Sequence, residues 1–179
     1  MPTRKGAPVA KKVAAAKAGR SERAMSSRDQ RLADGRALRD AVPRASHARW
    51  KAPAKRLDPI AILQQSNRGR LPELVPVRYG RMLASPFAFL RGSAGLMASD
   101  LAATPASGVR VQACGDCHLL NFGLFATPER NLIFDLNDFD ETLPGAWEWD
   151  LKRLASSAVV AVRSMGGDKV LCEEAARAA

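Results

Sequence analysis

The stretch Cys114-Gly-Asp-Cys117-His118 contains residue types that support several kinds of chemistry. Cys-x-x-Cys-His is the spacing at which a c-type haem is attached, and two cysteines alone can form a redox dithiol or half of a zinc site. The same stretch places Asp116 five residues before Asn121, a spacing that can supply a base and a metal ligand from one loop. These alternatives require different surroundings, so the rest of the sequence can distinguish them.

Acidic residues are concentrated downstream of this stretch. The sequence between Asn131 and Leu151 contains no Lys or Arg, but it contains Asp135, Asp138, Asp140, Glu141, Glu148 and Asp150. Clustered carboxylates repel one another unless a cation joins them. Mg²⁺, bound by one or two carboxylates and by substrate phosphates, is a common solution. A solvated acidic loop is the simpler alternative.

The order of three polar residues favours the metal. In enzymes that transfer phosphoryl groups, an Asp lies beside the attacking hydroxyl and an Asn five residues later binds the metal. A second Asp, at the end of the following strand, bridges the metal and the phosphates. Asp116, Asn121 and Asp135 occur in this order, and Asp135 ends the apolar run Asn-Leu-Ile-Phe. The sequence therefore favours Mg²⁺-dependent phosphoryl transfer.

Two short strands and several helices must position these residues. The segments 109–114 and 131–136 are predicted strands, and the turn-like Ala-Thr-Pro-Glu-Arg between them predicts a hairpin-type pair. The segment 141–149, which contains Pro and Gly, is predicted to be a loop. Apolar periodicity and capping residues predict five helices. The first is Arg28–Val42, which ends before Pro43, and the second begins after Asp58. The third runs from Ser85 to the Pro-Ala-Ser-Gly break, the fourth is capped by Asp150, and the fifth begins near Asp168. The expected fold class is α+β.

Several motifs resemble those of aminoglycoside phosphotransferase-type kinases. CGDCHLLN resembles their His-Gly-Asp-x-His-x-x-Asn loop, LIFDLND their Ile-Asp-Phe/Leu-Gly step, and WEWDLKRLASS their Trp-Asp-Leu segment. Cys114 stands where that group usually has His, and Asn137 stands where Gly is usual. The resemblance implies that Asp150 supports the catalytic loop from beneath. The candidate site residues are Asp116 and His118 as catalytic residues, Asn121, Asp135 and Asp138 as metal ligands, and Asp150 as structural support.

A narrower resemblance covers residues 44–165. RLPELVPVRYGRM, SPFAFLRGSAGLMASDLA, CGDCHLLNFG and FDLNDFDETLPGAWEWDLKRLASS together resemble the bacterial domain of unknown function 2252 family. This resemblance implies a fold distantly similar to kinases. It also implies that complete members extend beyond this chain and carry a glycine-rich, Lys-containing nucleotide segment downstream. The chain is therefore expected to be an N-terminal fragment that is inactive alone.

The other interpretations of the opening stretch find less support. Haem attachment requires export and usually a distal ligand, and His47 is the only other histidine, so no haem is expected. A redox dithiol usually begins a helix, whereas these cysteines follow a predicted strand. Zinc would require further ligands, and only Cys172 and His118 are available. Cys114 is therefore interpreted as a small buried residue at a strand end, and His118 either orients Asp116 or contacts a phosphate, or else hydrogen-bonds backbone.

The formal net charge of +10 is carried by the N-terminal segment. Residues 1–56 contain 16 Lys and Arg against 4 Asp and Glu, and residues 57–179 contain 12 against 14. Residues 1–44 are predicted to be a basic, largely disordered arm with a transient helix over Val9–Ala18, and residues 45–179 a partial kinase-like domain. The arm could bind nucleic acid, but a solubilising leader is favoured. Without a secretory signal or a membrane-spanning apolar stretch, a cytoplasmic location and no membrane partner are expected.

The favoured interpretation is a partial kinase-like catalytic lobe that uses ATP and Mg²⁺ to phosphorylate a small molecule. One alternative is a metal-dependent phosphoesterase, in which Asp116, His118, Asp135 and Asp138 hold one or two metals. Another is a catalytically silent module that binds nucleotide or nucleic acid. Two arginines, Arg81 and Arg91, flank the helix from Ser85. They either pair with the acidic loop, which is favoured, or reach a phosphate.

Overall fold

The computed structural model of the protein describes residues 26–179 and has the expected α+β composition. Within the described residues, the boundary between two units lies between Leu38 and Arg39, and the second unit is Arg39–Ala179. The helices are α1 (Arg28–Ala41), α2 (Pro59–Gln65), α3 (Val75–Met82), α4 (Pro86–Gly92), α5 (Ala94–Leu101), α6 (Trp147–Ser164) and α7 (Lys169–Ala178). The strands are β1 (Arg110–Ala113), β2 (Phe122–Ala126), β3 (Leu132–Leu136) and β4 (Leu143–Ala146), and short 3₁₀ helices cover Arg44–Ala48, Pro72–Leu74 and Leu119–Asn121.

The second half of the predicted arm contains a regular helix. α1 ends at Ala41, shortly before Pro43, as the sequence predicted. None of its fourteen residues, all of them described, is buried, which agrees with its polar sequence. The disorder predicted for the first residues and the transient helix over Val9–Ala18 lie outside the described residues.

Three helices begin where local capping predicts. The Asp58 carboxylate accepts hydrogen bonds from the backbone N–H groups of Ile60 and Ala61, and Pro59 occupies the first helical position of α2. The Ser85 hydroxyl caps α4, and the Asp168 carboxylate caps α7. These starts are confirmed because a cap depends only on residues within one turn.

The single helix predicted from Ser85 is interrupted at Ser93, which separates α4 from α5. Two guanidinium groups donate hydrogen bonds to backbone carbonyl groups at the end of α4. Arg78 donates to the Gly92 carbonyl, and Arg153 donates to the Leu90 carbonyl, both at 2.7 Å. These long-range hydrogen bonds replace the ones that a continuous helix would make, and a helical pattern in the sequence does not reveal them.

The predicted pairing of the two strands is wrong. β1 pairs antiparallel with β4, with Val111 opposite Gly145, and β2 pairs antiparallel with β3, with Gly123 opposite Asp135. The turn before β3 therefore closes a hairpin with β2, the segment that directly precedes it. β4 lies in the segment predicted to be a loop, where Pro144 is tolerated because every strand of a two-stranded sheet is an edge strand.

The long helix α6 begins at Trp147, so the prediction that Asp150 caps it is wrong. Asp150 lies in the first turn of α6, and its carboxylate bonds to the backbone of a neighbouring loop instead. The buried apolar side chains are Leu63, Met82, Leu96, Leu101, Ala113, Cys114, Cys117, Ala158 and Cys172. Within residues 26–179, the helices all lack the combination of length and apolar character that a bilayer crossing demands.

Candidate active site

The segment Cys114–Asn121, here called the site loop, connects β1 to β2 and folds back on itself. The backbone carbonyl of Asp116 accepts hydrogen bonds from the His118 backbone N–H at 2.9 Å and from the Asn121 side-chain amide at 2.7 Å. Gly115 has a φ of 85°, and a Cβ at this position would meet the Glu141 backbone. Only glycine combines this left-handed conformation with so close an approach. The site loop is therefore a defined turn that presents its side chains in a fixed arrangement.

Asp150 holds the start of the site loop. Its carboxylate accepts hydrogen bonds from the backbone N–H groups of Cys114, at 2.7 Å, and Gly115, at 3.1 Å. Both donors belong to a sharp turn in which no neighbouring strand could satisfy them. This is the contact that the bracing interpretation of Asp150 requires.

Two further polar residues of α6 contact the site loop, and sequence reasoning missed both. Arg153 donates to the Asp116 carboxylate, and the Ser157 hydroxyl accepts a hydrogen bond from the Leu119 backbone N–H at 3.0 Å. Asp150, Arg153 and Ser157 are spaced three and four residues apart, so they lie on one face of α6. We call them the polar stripe of α6. A polar stripe within a helix that is otherwise apolar on that side is the signal that could have identified them.

Asp116 is held mainly by Arg153. The Arg153 Nε lies 2.6 Å from the Asp116 Oδ1, and a terminal guanidinium nitrogen contacts the same oxygen. The Arg153 residue is only 2% exposed, and its other hydrogen bonds go to the Leu90 carbonyl and the Met97 sulfur. Charge-assisted bonds of this kind define both position and orientation. Arg153 therefore fixes Asp116 through Oδ1 and leaves Oδ2 toward His118.

His118 is almost fully buried, with 2% of its surface exposed. Its ring meets Phe87 edge to face, and its Nε2 lies 3.6 Å from the Asp116 Oδ2, beyond hydrogen-bond distance. Burial lowers the pKa of His118; the Asp116 carboxylate opposes this effect, while Arg153 and Arg91 add to it. The imidazole is therefore neutral at neutral pH, and its Nδ1 has no hydrogen-bond partner among the described residues.

Four of the predicted site residues open into one cleft of about 930 Å³. They are Asp116, His118, Asn121 and Asp138. The Asn121 amide nitrogen is engaged by the Asp116 carbonyl, which leaves its Oδ1 free for another partner. The Asp138 Oδ1 accepts a hydrogen bond from the Asp140 backbone N–H at 3.1 Å, which leaves Oδ2 available for another partner. The cleft thus combines two carboxylates and an amide oxygen.

Asp135 does not line this cleft. It lies on β3 with its side chain exposed, and its Oδ1 accepts the N–H of the next residue, Leu136, at 2.8 Å. Asp135 therefore does not join Asp116 and Asn121 in the cleft as predicted, and Asp138 lines the cleft instead. The physical reason is that β3 remains extended through Leu136, and the chain turns toward the site loop only beyond it.

The cleft residues with free side-chain oxygens are the candidates for binding a metal ion. Within residues 26–179, no group of three or more His, Cys, Asp and Glu side chains is arranged to hold a metal ion, which leaves the predicted zinc alternative without a ligand set. Mg²⁺ commonly takes only one or two carboxylates from the protein and completes its shell with water and phosphate oxygens. Asp138 and Asn121, which line the cleft beside Asp116, each keep one oxygen atom without a partner among the described residues, so these two side chains are the candidate metal ligands.

Comparison with known proteins places the chain in a family. Residues 70–179 match the model of the family described as "Uncharacterized protein conserved in bacteria (DUF2252)". The chain belongs to the DUF2252 family. The matched range includes the site loop, Asp138 and the polar stripe of α6, so the complete candidate site lies within the DUF2252 region. No curated protein and no solved structure matches the chain.

The cysteines of this DUF2252 protein are buried thiols. Cys114 is 1% exposed and Cys117 is 5% exposed. Burial raises the pKa of Cys117 to about 12, with Asp150 as the next contribution, and burial also raises the pKa of Cys114. A redox dithiol requires the opposite, a thiol whose pKa is lowered and whose sulfur is accessible. Cys114 is the small buried residue at the end of a strand that the sequence predicted.

Proposed function

We propose that this DUF2252 protein is a Mg²⁺-dependent phosphotransferase with kinase-like chemistry, which uses ATP to phosphorylate a small molecule. The observation that carries the proposal is the common cleft of Asp116, Asn121 and Asp138. An acid beside the reacting hydroxyl, an Asn five residues later and an acid beyond the next strand are the groups that phosphoryl transfer needs.

Each residue has a specific task in this proposal. The Asp116 Oδ2 accepts the hydrogen bond of the acceptor hydroxyl and later its proton. Asn121 and Asp138 would hold Mg²⁺, which would neutralise phosphate charge. Arg153 holds the Asp116 carboxylate through the other oxygen, and Asp150 holds the backbone of the site loop.

The pairing of Asp116 with Arg153 is compatible with this chemistry. Asp116 offers only Oδ2 to an acceptor hydroxyl, because its Oδ1 is already bonded to the guanidinium group. Phosphoryl transfer, however, depends chiefly on positioning and on charge stabilisation and needs little assistance from a strong base. The role of Asp116 is then mainly to orient the hydroxyl, and a rigid ion pair suits that role.

The two alternatives have less support. A phosphoesterase with one or two metals would use Asp116, His118, Asp135 and Asp138, but Asp135 is outside the cleft and the His118 ring is buried against Phe87. A nucleic-acid-binding module would rely on the basic arm, most of which lies outside the described residues. The kinase-like assignment of Asp116, Asn121 and Asp138, by contrast, uses side chains that line one cleft.

Thermal unfolding with and without ATP and Mg²⁺ tests the proposal. The sequence contains no glycine-rich nucleotide segment, so the test measures binding instead of turnover. ATP with Mg²⁺ at ten times its Kd should stabilise the protein by about 1.4 kcal/mol, which raises Tm by about 3–6 °C. Asp135→Asn should respond like wild type, and Asp138→Asn should not respond.

Two results would count against this function. If Asp138→Asn and wild type respond equally, or if chelating Mg²⁺ leaves the shift unchanged, the assigned metal ligands are wrong. If the protein hydrolyses a simple aryl phosphate with Mg²⁺ and without nucleotide, and Asp138→Asn abolishes that hydrolysis, the phosphoesterase alternative replaces the transferase.

A further inference from the structure

The wall of the cleft is rich in arginine. Four arginines, Arg70, Arg78, Arg81 and Arg91, line it together with the site-loop residues. The carboxylates that line it are Asp116 and Asp138, and Asp116 is already paired with Arg153. His118 contributes no charge because its pKa is lowered by burial. The cleft therefore has a surplus of positive charge that the described residues do not neutralise.

The four arginines differ in what their guanidinium groups contact. Arg78 is half-buried and donates to the Asn67 side chain and to the Gly92 carbonyl, both at 2.7 Å. The Arg70 Nε donates to the Ser66 carbonyl at 3.1 Å. Both of these side chains stabilise neighbouring backbone or turns. Their bonds with the protein explain their presence without a ligand.

Arg81 and Arg91, here called the arginine pair, are different. Both side chains are exposed, and within the part of the chain that the structure describes neither makes an ion pair or a side-chain hydrogen bond. The predicted pairing with the acidic loop is therefore absent there. Arg91 lies close enough to His118 to contribute to the lowered pKa of its imidazole, and both residues line the cleft.

The positions of these arginines in their helices do not account for them. Arg81 lies in the last turn of α3, and Arg91 lies in the last turn of α4. A cation there gains about 0.3–1 kcal/mol from the helix dipole, and a lysine or an arginine anywhere on the last turn would serve equally. The dipole does not use the guanidinium N–H groups, and it does not require that two such side chains line the same cleft.

We propose that the arginine pair binds a phosphate group of the ligand in the cleft. A guanidinium group presents a planar fork of donors that matches phosphate oxygens, and Arg is favoured where such binding matters. The inference deepens the proposed function and rests on it for the cleft being a reaction site. The ligand is then a phosphate ester or a polyphosphate, and an uncharged sugar or alcohol does not suffice.

This phosphate has two possible sources. It belongs either to the polyphosphate chain of the nucleotide donor or to a phosphate ester on the acceptor. The shared chemistry is a terminal phosphate dianion within reach of Asp116. Pyrophosphate, ATP and a hexose monophosphate are the probes that separate the two sources.

The test is calorimetric titration of the full chain with pyrophosphate in the presence of a chelator. Arg81→Gln/Arg91→Gln is compared with wild type and with the matched control Arg36→Gln/Arg163→Gln, which removes the same charge from exposed residues that do not line the cleft. Loss of charge-assisted hydrogen bonds should weaken pyrophosphate binding at least about tenfold in the arginine-pair variant. The control variant should bind like wild type.

The remaining arms identify the source and separate this inference from the metal assignment. If the arginine-pair variant loses the metal-free ATP binding that wild type shows, and wild type does not bind the hexose monophosphate, the phosphate belongs to the donor. Pair-dependent binding of the hexose monophosphate assigns it to the acceptor. Asp138→Asn should still bind pyrophosphate in chelator, so this site can stand if the metal site fails. Equal binding by wild type and the arginine-pair variant, an equal loss in the control, or no binding by wild type would overturn the inference.

Discussion

Replacing Arg153 with Met tests how firmly α6 holds the site loop. In the native protein the Arg153 side chain is 3% exposed, and the Asp116 side chain that it contacts is 19% exposed. Met fills a similar volume but removes the charge and all hydrogen-bond donors. The variant therefore leaves the Asp116 carboxylate without a cation and the Leu90 carbonyl without the donor that Arg153 supplies.

The expected cost follows from that burial. Removing one partner of a buried ion pair costs about 3–5 kcal/mol. Since the Asp116 carboxylate keeps some contact with water, the lower end of this range applies, and we expect a loss of about 3 kcal/mol in the free energy of unfolding. With a urea m-value of about 2 kcal/mol per molar, the unfolding midpoint should fall by about 1.5 M.

The assay is urea unfolding of Arg153→Met, Asp116→Asn and the double variant. Because the double variant no longer contains an unpaired carboxylate, its cost should fall short of the sum of the single costs by at least about 1 kcal/mol. Arg163→Met, an exposed position on the same helix, is the control and should stay within about 0.5 kcal/mol of wild type. Arg153→Met close to wild type, or strictly additive costs, would refute the coupling between α6 and the site loop.

Three further predictions concern the site loop. Cys117, with a pKa of about 12, should resist alkylation at about pH 8 until urea unfolds the protein, and labelling at the rate of a free thiol would contradict its burial. Asp150→Ala should lower the free energy of unfolding in urea by about 3 kcal/mol because two backbone N–H groups lose their acceptor. Asp150→Asn should cost less because it keeps one oxygen. If both variants lose equally little stability, Asp150 does not hold the site loop. Gly115→Ala should lower Tm more than Gly108→Ala, because both have a left-handed backbone but only Gly115 lies against Glu141. Equal shifts would show that the close approach is absent.

The parts of the fold that depend on neighbouring residues were predictable from the sequence. The Asp58 and Asp168 caps follow from one helical turn, and β1 and β3 follow from alternation over a few residues. Strand pairing was not predictable, because β4 lies about thirty residues after β1 and its Pro-Gly composition resembles a loop. The break at Ser93 depends on two arginines that are distant in the sequence, so helical periodicity could not indicate it.

In the candidate site, too, the contacts between residues close in sequence were predictable, and the contacts between distant residues were not. The spacing of Asp116 and Asn121 predicted two members of the cleft because one short loop carries both. Asp135 and Asp138 are only three residues apart, and no periodicity indicates where the chain leaves β3 and turns toward the cleft. Arg153 is separated from Asp116 by 37 residues, and only the polar stripe of α6 suggests the contact. Side-chain partners of this kind depend on packing, which the sequence pattern does not encode directly.

Titration of the protein with Mn²⁺, followed by the electron paramagnetic resonance signal of the free ion, tests the central claim most directly. Mn²⁺ prefers the same oxygen ligands as Mg²⁺ and reports binding without nucleotide or activity. If Asn121 and Asp138 hold one divalent ion beside Asp116, wild type and Asp135→Asn should bind one Mn²⁺ per chain, and Asp138→Asn should bind it at least about tenfold more weakly. Unchanged binding by Asp138→Asn, loss of binding in Asp135→Asn, or no Mn²⁺ bound by wild type would each contradict the account.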